Sequence, residues 1–424
     1  MKTLKCRLHL MYSLIMLTLL IIPLLSFVLH AQEKKVVFVI IDGIAEDMLE
    51  KANTPNLDKI ASSGSLVPAY VGGEKEGYSE TPTISAVGYN TLLTGTWVSK
   101  HNVFGNSIKE PNYNYPTIFW LFEQQWPDKQ TAIFSTWQDN RTKLIGEELE
   151  PTSNLKIDYA FDGFELDTVA FPHDSNSEYI KKIDQKVALE ASRYIEEEGP
   201  DLSWVYLQYP DDMGHRFGDS PQLYDAIAFE DKLMGKLWDA ISVREKQFDE
   251  DWLILITTDH GRTAADGKHH GGQSDRERHV WMISNKDNLN SYAENHRIGM
   301  VDLLPTMVDF MGLEVDEDIK REWDGVSLLT EVDAVNLKGT YNKQNHSLDL
   351  SWDKIGKSTG KATIYMAKTN LKKTGGNDNY EKVGKVNVAK EGYRISLGDV
   401  AVEKYYKVVL KSSNTILNTW IVID

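Results

Sequence analysis

The chain has 424 residues, 41% of them hydrophobic, which is enough for one large hydrophobic core and a second small domain. Acidic residues outnumber basic ones, and the formal net charge at pH 7 is −17. Because such a surface repels polyanions, the composition argues against nucleic-acid binding as the main role of the protein.

Residues 1–31 have the pattern of a secretory signal peptide. Basic residues precede an apolar run over about 10–29, and Ala31 provides a small residue at the end of the segment. Pro23 within the run and Ala31 after it favour cleavage, so we expect membrane attachment only if the segment is retained. Cleavage would remove three positive charges and no negative ones, which changes the net charge from −17 to −20.

The only cysteine, Cys6, lies in this N-terminal segment. The mature chain therefore has no thiol for a disulfide, a nucleophile or a metal ligand. An export signal without structural disulfides favours a secreted protein of the bacterial periplasm or cell surface.

Three apolar segments along the chain end in acidic residues or in acid plus histidine. They are KKVVFVIIDG (34–43), WVYLQYPDDMGH (204–215) and WLILITTDHG (252–261). Their apolar runs show no polar alternation, which predicts parallel strands buried on both faces. Because ligands collect at the carboxyl ends of such strands, we expect the chemistry of the protein at this edge of the sheet.

The other periodic segments up to residue 332 alternate between helix and strand. Helices are predicted over 54–64 with Thr54 as cap, 85–93, 176–197, 222–246 and 301–313, the last one broken or entered at Pro305. Further strands are predicted over 131–136 and 279–284. This alternation predicts a doubly wound α/β domain over 35–332, with a largely parallel sheet.

The pattern changes at about residue 334. Short strand-like runs separated by turn residues then follow: LDLSWDK, KATIYMA, KVGKVNV, YRISLG, YYKVVLK and TWIVID. They predict an all-β sandwich over 334–424 that resembles a fibronectin type III or immunoglobulin-like module, with Trp352 in its core. It carries no catalytic constellation, so we expect an accessory module, whose protein or glycan partner the sequence does not identify.

Acidic and histidine side chains in the predicted strand ends suit a metal site. Asp211 and His215 are spaced to share one side of a helical turn, Asp259 and His260 directly follow a strand, and His270 lies in KHHGG. Each pair alone is compatible with a turn or a cap, but three acid-ended strands together favour a metal. Carboxylate mixed with imidazole suits zinc, with manganese as the alternative.

The order of these motifs resembles a known superfamily. I-D-G, then P-T-I-S leading into L-L-T-G, then P-D-x-x-G-H, D-H-G and H-G resemble the alkaline phosphatase superfamily, and within it the nucleotide pyrophosphatase/phosphodiesterase branch. The resemblance covers about 35–330 and implies an alkaline phosphatase-like catalytic domain with two zinc ions. It implies one zinc on Asp42, Asp259, His260 and the nucleophile oxygen, and the other on Asp211, His215 and His270.

The residues alone leave the nucleophile open among five hydroxyl groups: Thr81, Thr83, Ser85, Thr91 and Thr94. The resembling family places its hydroxyl ten positions before the glycine of L-x-T-G, which selects Ser85. A hydroxyl at the start of a helix lies at the positive end of the dipole, and zinc would lower its pKa further. The alternative is an ordinary helix-capping serine.

Asn106 lies where the family has an asparagine that donates to a phosphate oxygen, although a turn residue is the alternative. The chain also departs from the family, which commonly has threonine followed by F-P-N-H. Here Ser85 is followed by A-V-G-Y (86–89), so alanine replaces an aromatic residue of a nucleotide-base clamp.

The sequence therefore predicts a secreted two-zinc hydrolase of phosphodiester or pyrophosphate bonds in a small phosphate ester, acting through a covalent phosphoserine. A phosphomonoesterase is the nearest alternative. A sulfatase is a weaker one, because Val87 and Tyr89 occupy the places of its Pro-x-Arg-like pattern. A metal-stabilised binding protein without catalysis is the alternative outside the enzymes.

Overall fold

A computed structural model describes residues 32–357, 359–398 and 401–423. The predicted signal peptide, residues 1–31, lies outside these ranges. Within them, none of the helices combines the length and the apolar character that crossing a membrane requires.

A mostly parallel sheet forms the centre of the protein. Its strands are β1 (Glu33–Ile41), β2 (Ser65–Tyr70), β3 (Thr131–Ser135), β4 (Tyr159–Phe161), β5 (Leu202–Leu207), β6 (Glu250–Thr257), β7 (His279–Ser284) and β8 (Ile298–Gly299). Their order across the sheet is β4-β3-β5-β1-β6-β7-β2-β8. The predicted α/β class with a largely parallel sheet is confirmed.

Only β7 runs against its neighbours β6 and β2 among these described strands. The connection from β6 to β7 contains one short helix, Asp275–Arg278, and no long crossover helix. A parallel pair needs such a crossover, so the chain returns in the opposite direction.

The register of the central strands brings their carboxyl ends together. Ile41 of β1 pairs with Leu207 of β5, and Ile40 pairs with Thr257 of β6. The residues that follow these strands therefore emerge at one level of the sheet, as the sequence predicts.

Helices cover both faces of the sheet. The α-helices are α1 (Glu46–Lys51), α2 (Pro55–Ser63), α3 (Ser85–Thr94), α4 (Val98–His101), α5 (Ile118–Gln125), α6 (Glu178–Glu198), α7 (Tyr209–Phe217), α8 (Pro221–Gln247), α9 (Asp275–Arg278), α10 (Ser291–Asn295), α11 (Leu303–Met311) and α12 (Glu317–Lys320). Val37 and Val39 of β1 pack with α2, α6 and α8, whereas Val36 and Phe38 pack with α3, α5 and α11. Both faces of β1 are thus buried, which explains its uninterrupted apolar run.

Shorter helical segments complete the described part of the α/β region. They are a π-helix at Asn140–Ile145 and 3-10 turns at Glu150–Thr152, Phe164–Leu166 and Met300–Asp302. The last turn leads directly into α11, so the α-helix predicted over 301–313 begins at Leu303, two residues before the predicted break or entry at Pro305. Thr54 precedes α2 as predicted, but its side chain makes no capping hydrogen bond.

The C-terminal region forms two separate antiparallel sheets. Its strands are β9 (Ala334–Asn342), β10 (Ser347–Lys354), β11 (Lys361–Ala367), β12 (Glu381–Asn387), β13 (Gly392–Ser396), β14 (Tyr405–Lys411) and β15 (Ile416–Val422). One sheet has the order β13-β10-β9 and the other β12-β11-β14-β15. Trp352 is buried as predicted, and its indole N–H donates to the carbonyl of Val388 at 2.8 Å.

Candidate metal centre

Three strand ends place the predicted ligands at one edge of the sheet. Asp42 directly follows β1, and Asp259 follows β6 after one residue. The chain turns into α7 just after β5, so Asp211 lies in the first turn of that helix and His215 one turn later. The D-x-x-x-H spacing thus places both side chains on one side of a helix, as predicted.

The predicted ligands lie in two groups. One group is Asp42, Asp259 and His260, and the other is Asp211, His215 and His270. Within each group, one ligand atom per residue lies within 4.8 Å of the others. These are the two sets that the family resemblance implies.

The first group contains two buried carboxylate oxygens that lack a hydrogen-bond donor in the described chain, Oδ1 of Asp42 and Oδ2 of Asp259. The Nε2 atom of His260 lies 3.4 Å from the first oxygen and 3.2 Å from the second. Uncompensated buried oxygens are costly, so this arrangement fits a cation between the three side chains.

The second group brings two imidazole rings together. The Nε2 atoms of His215 and His270 are 3.0 Å apart. The Nδ1 atom of His270 donates to the carbonyl of Thr83 at 2.9 Å, which leaves the lone pair of its Nε2 facing His215. Asp211 Oδ2 lies 3.4 Å from the same Nε2 of His215. A hydrogen bond that fixes the ring in this way is typical of histidine metal ligands.

Burial dominates the electrostatics of the first group. Burial and the charges of Asp259 and Asp211 raise the pKa of Asp42 well above its ordinary value. Burial also raises the pKa of Asp259 to about 7 and lowers the pKa of His260 well below its ordinary value. A divalent cation would compensate the negative charges that burial here disfavours.

Arg262 supports the second group, although the D-H-G motif that it directly follows does not predict this role. The side chain is fully buried; its Nε donates to the Gly43 carbonyl at 2.8 Å, and a terminal nitrogen donates to the Asp211 carbonyl at 2.9 Å and to its carboxylate. Although burial opposes ionisation, this guanidinium holds the pKa of Asp211 well below its usual range. Arg262 therefore connects the turn after β1 with α7.

Glycines make room for this arginine. A Cβ atom at Gly214 would lie 2.1 Å from the Arg262 guanidinium carbon, and one at Gly43 would lie 2.5 Å from a guanidinium nitrogen. Gly43 also has a φ of +72°, which favours glycine. Both glycines in the motifs I-D-G and P-D-x-x-G-H thus serve the close approach of Arg262.

Two tyrosines, also not predicted, orient Asp42. The phenol groups of Tyr89 and Tyr206 both donate to Oδ2 of Asp42, the Tyr206 bond being 2.7 Å long. They leave Oδ1 to face His260. Tyr206 lies within the apolar run of β5, where nothing in the local sequence distinguishes it from a core residue.

Among the five candidate hydroxyl groups, Ser85 lies at the ligands. It is the first residue of α3, and its Oγ is 3.4 Å from His260 Nε2. The other four donate to backbone carbonyls: Thr81 to Ser79, Thr83 to Gly272, Thr91 to Val87 and Thr94 to Asn90. The structure thus distinguishes Ser85 from the four threonines, which the residues alone do not.

Asn106 lies beside Ser85 at the start of α3. Its Oδ1 accepts the backbone N–H of Ala86 at 3.0 Å. This bond orients the side chain, and its amide nitrogen remains as the group that can donate to a ligand.

A cleft of about 360 Å³ opens at Ser85 and Asn106. Trp137, Tyr179 and His173 contribute its aromatic lining, and the last two rings stack with centroids 4.3 Å apart. The site therefore combines two potential cation sites, a hydroxyl group and an adjoining cleft.

A mostly parallel sheet with these clusters at its carboxyl edge defines a member of the alkaline phosphatase superfamily. More specifically, the chain belongs to the family described as "Type I phosphodiesterase / nucleotide pyrophosphatase", whose profile matches residues 36–372. The resemblance drawn from the sequence motifs is confirmed.

Curated relatives agree with this assignment, and a solved structure shares the fold. Human ectonucleotide pyrophosphatase/phosphodiesterase family member 7 is 24% identical over 247 residues, covering 56% of this chain and 50% of that protein. Human family member 5 is 26% identical over 258 residues, covering 56% and 47%. The chain thus spans about half the length of these relatives. A candidate sulfatase from Bacteroides thetaiotaomicron VPI-5482 shares the fold, with a TM-score of 0.50, 13% identity and coverage of 83% and 86%.

Proposed function

We propose that the protein hydrolyses phosphodiester or pyrophosphate bonds in small phosphate esters, with two zinc ions and Ser85 as nucleophile. Membership of the phosphodiesterase/pyrophosphatase family supports the reaction class. The observation that carries the proposal is the convergence of the two ligand groups with the Ser85 hydroxyl, 3.4 Å from His260.

The donor set of each group fits zinc. Each group offers carboxylate oxygen and imidazole nitrogen, and the first contains the two buried oxygens without donors. Asp42, Asp259 and His260 would hold one ion and Asp211, His215 and His270 the other. When bound, the two ions would polarise the phosphoryl group and neutralise charge on the attacking and leaving oxygens.

Ser85 and Asn106 supply the chemistry of the protein's own side chains. Ser85 Oγ loses its proton and attacks phosphorus in line with the leaving group, forming an O–P bond as the bond to the leaving oxygen breaks and that oxygen takes up a proton. Water then cleaves the phosphoserine and restores the hydroxyl. The start of α3 stabilises negative charge on Oγ, and the amide nitrogen of Asn106 donates to a phosphoryl oxygen.

Elemental analysis of the purified protein should find two zinc ions per chain, because each of the two groups has its own ligands. A chelator should abolish hydrolysis, and added zinc should restore it. A single ion per chain, or calcium alone, would contradict the two-zinc site.

Parallel assays on aryl phosphate diesters, phosphate monoesters and sulfate esters test the substrate class. We expect the highest kcat/KM for the diester. A monoester preference would support the phosphomonoesterase alternative, and a sulfate preference the sulfatase alternative.

Substitution of Arg262 tests the connection between the two ligand groups. Arg262→Met should destabilise the fold by about 3–5 kcal/mol, as removal of one partner of a buried ion pair does. Zinc affinity should fall by about 10- to 100-fold, since Asp211 loses its orienting bond. Arg262→Lys should not restore either property, because an ammonium lacks the planar fork whose separate nitrogens donate to Gly43 and Asp211. Thermal unfolding and zinc titration measure the two properties. Wild-type stability and zinc affinity in Arg262→Lys would contradict this role.

Export and the accessory module complete the proposal. We infer that the mature chain begins at Gln32 and acts outside the cytoplasm, at the periplasm or cell surface; the relatives' names as ectoenzymes support this. N-terminal sequencing of the mature protein tests the cleavage site. We also infer that the C-terminal sheets of three and four strands form a fibronectin type III-like sandwich.

A further inference from the structure

Two carboxyl groups that the proposed chemistry does not use lie side by side in the core. Asp184 on α6 and Glu230 on α8 are both fully buried. Buried carboxyl groups require compensation by hydrogen bonds or by a bound proton. Their partners therefore indicate what the pair does.

Asp184 binds the backbone at the start of α7. Its Oδ2 accepts the N–H groups of Gln208 at 2.9 Å and Tyr209 at 2.6 Å. Gln208 precedes α7 and its own side chain makes no capping hydrogen bond. Asp184 thus supplies, from another helix, the cap that α7 lacks. Its Oδ1 accepts the hydroxyl of Thr136, the residue before Trp137 of the cleft.

Glu230 completes the hydrogen bonding of Asp184. Neither of its oxygens has a conventional donor in the described chain, and its carboxyl group contacts that of Asp184. Two adjacent buried carboxylates cannot both be ionised, so Glu230 retains a proton and donates it in a hydrogen bond. Burial and the charge of Asp184 raise the pKa of Glu230 well above its usual range, and Lys181 opposes this only weakly.

We propose that Asp184 and Glu230 are positioning residues for the metal site of Asp211, His215 and His270. Asp211 lies two residues after Tyr209, and His215 lies one turn of α7 after Asp211. The pair therefore sets where α7 begins and how its two ligands face His270. This inference rests on the proposed zinc site and extends it to residues that contact no ligand side chain.

Zinc titration of the metal-free protein in competition with a chromophoric chelator tests this role. Asp184→Ala should weaken the binding of one of the two zinc ions by about 10- to 100-fold, as loss of supporting hydrogen bonds does at metal sites. The binding of the other ion should be unchanged. Glu230→Met, which removes the hydrogen-bond donor to Asp184, should weaken the binding of the same zinc ion by about 10-fold. Glu230→Gln should bind both ions within about twofold of the wild type, because its amide still donates to Asp184.

Asp302→Ala is the matched control. Asp302 is also buried, and it accepts the N–H groups of Gly299 and Val326 and the hydroxyl of Tyr292. We expect this variant to melt at lower temperature with both zinc affinities unchanged.

The inference is overturned if Asp184→Ala behaves in the same way, or if Glu230→Met and Glu230→Gln bind zinc equally well. If Asp184→Ala does not fold, the comparison of the two Glu230 variants decides whether the inference stands. A wild-type protein that binds no zinc would overturn the proposed function, and this inference with it.

Discussion

Replacement of Ser85 by alanine is expected to lower kcat by about four orders of magnitude, as loss of a nucleophile does in other hydrolases. In the proposed mechanism the oxygen of this hydroxyl attacks phosphorus, whereas the other candidate hydroxyls donate to backbone carbonyls. The variant should nevertheless bind two zinc ions, because the six carboxylate and imidazole ligands remain. Single-turnover kinetics and elemental analysis of the same preparation measure both properties.

Thr83→Ala is the matched control for this variant. Its hydroxyl lies two residues earlier, donates to the carbonyl of Gly272 and accepts the N–H of Gly271. Its loss should disturb the loop that carries His270 but should cost far less activity than the loss of Ser85. Acid quenching during turnover should trap phosphate on the peptide that contains Ser85. Near wild-type turnover by Ser85→Ala, or an inactive Thr83→Ala, would exclude Ser85 as the nucleophile.

The sequence predicts most of the sheet and of the ligand groups because their signals are local. A strand buried on both faces requires an uninterrupted apolar run, and the polar residues that end each run are visible beside it. Asp42, Asp259 and His260 follow directly from this pattern. His270 is indicated by the KHHGG motif soon after D-H-G. The choice of Ser85 among five hydroxyl groups requires the spacing of a family resemblance, because no strand end indicates it.

The supporting residues could not be predicted from local patterns. Tyr206 and Asp184 act on residues distant in the sequence, Asp42 and the start of α7 respectively. Arg262 has a weak signal, since it directly follows D-H-G, but a loop arginine is ordinarily exposed to solvent. The direction of β7 likewise depends on its connection and not on its apolar residues.

The sequence also does not predict the packing between the α/β region and the C-terminal module. Every candidate site residue lies at or before His270, so the sequence alone does not show that the catalytic region depends on the C-terminal module. The structure contains buried contacts across the predicted boundary at 332–334. The Nζ of Lys100 donates to Asn418 at 2.7 Å, and the Asn418 amide donates to the carbonyl of Trp323 at 2.6 Å. The rings of Tyr78 and Trp420 stack with centroids 5.2 Å apart.

Truncation after Val332 is therefore expected to prevent the catalytic region from folding stably. A large apolar side chain contributes about 1.5–3 kcal/mol when buried. Exposure of a few such side chains is comparable to the whole stability of a domain, about 5–15 kcal/mol. The apolar cluster on the β1 face that contains Phe38 continues without interruption into Leu348 and Val408 of the C-terminal sheets. The cut would also leave buried Glu322 without Lys407, its partner at 2.6 Å.

Calorimetry of the full chain and expression of residues 32–332 test this expectation together. The full chain should unfold in a single transition, because the shared cluster couples the two regions. The truncated chain should accumulate as aggregate, or as a species without a cooperative transition and without two bound zinc ions. Lys407→Met in the full chain should lower the melting temperature of that single transition, since both Glu322 and Asp378 lose their cation. Two separate transitions in the full chain, or a truncated chain that melts cooperatively with both zinc ions bound, would show that the C-terminal module is an independent appendage.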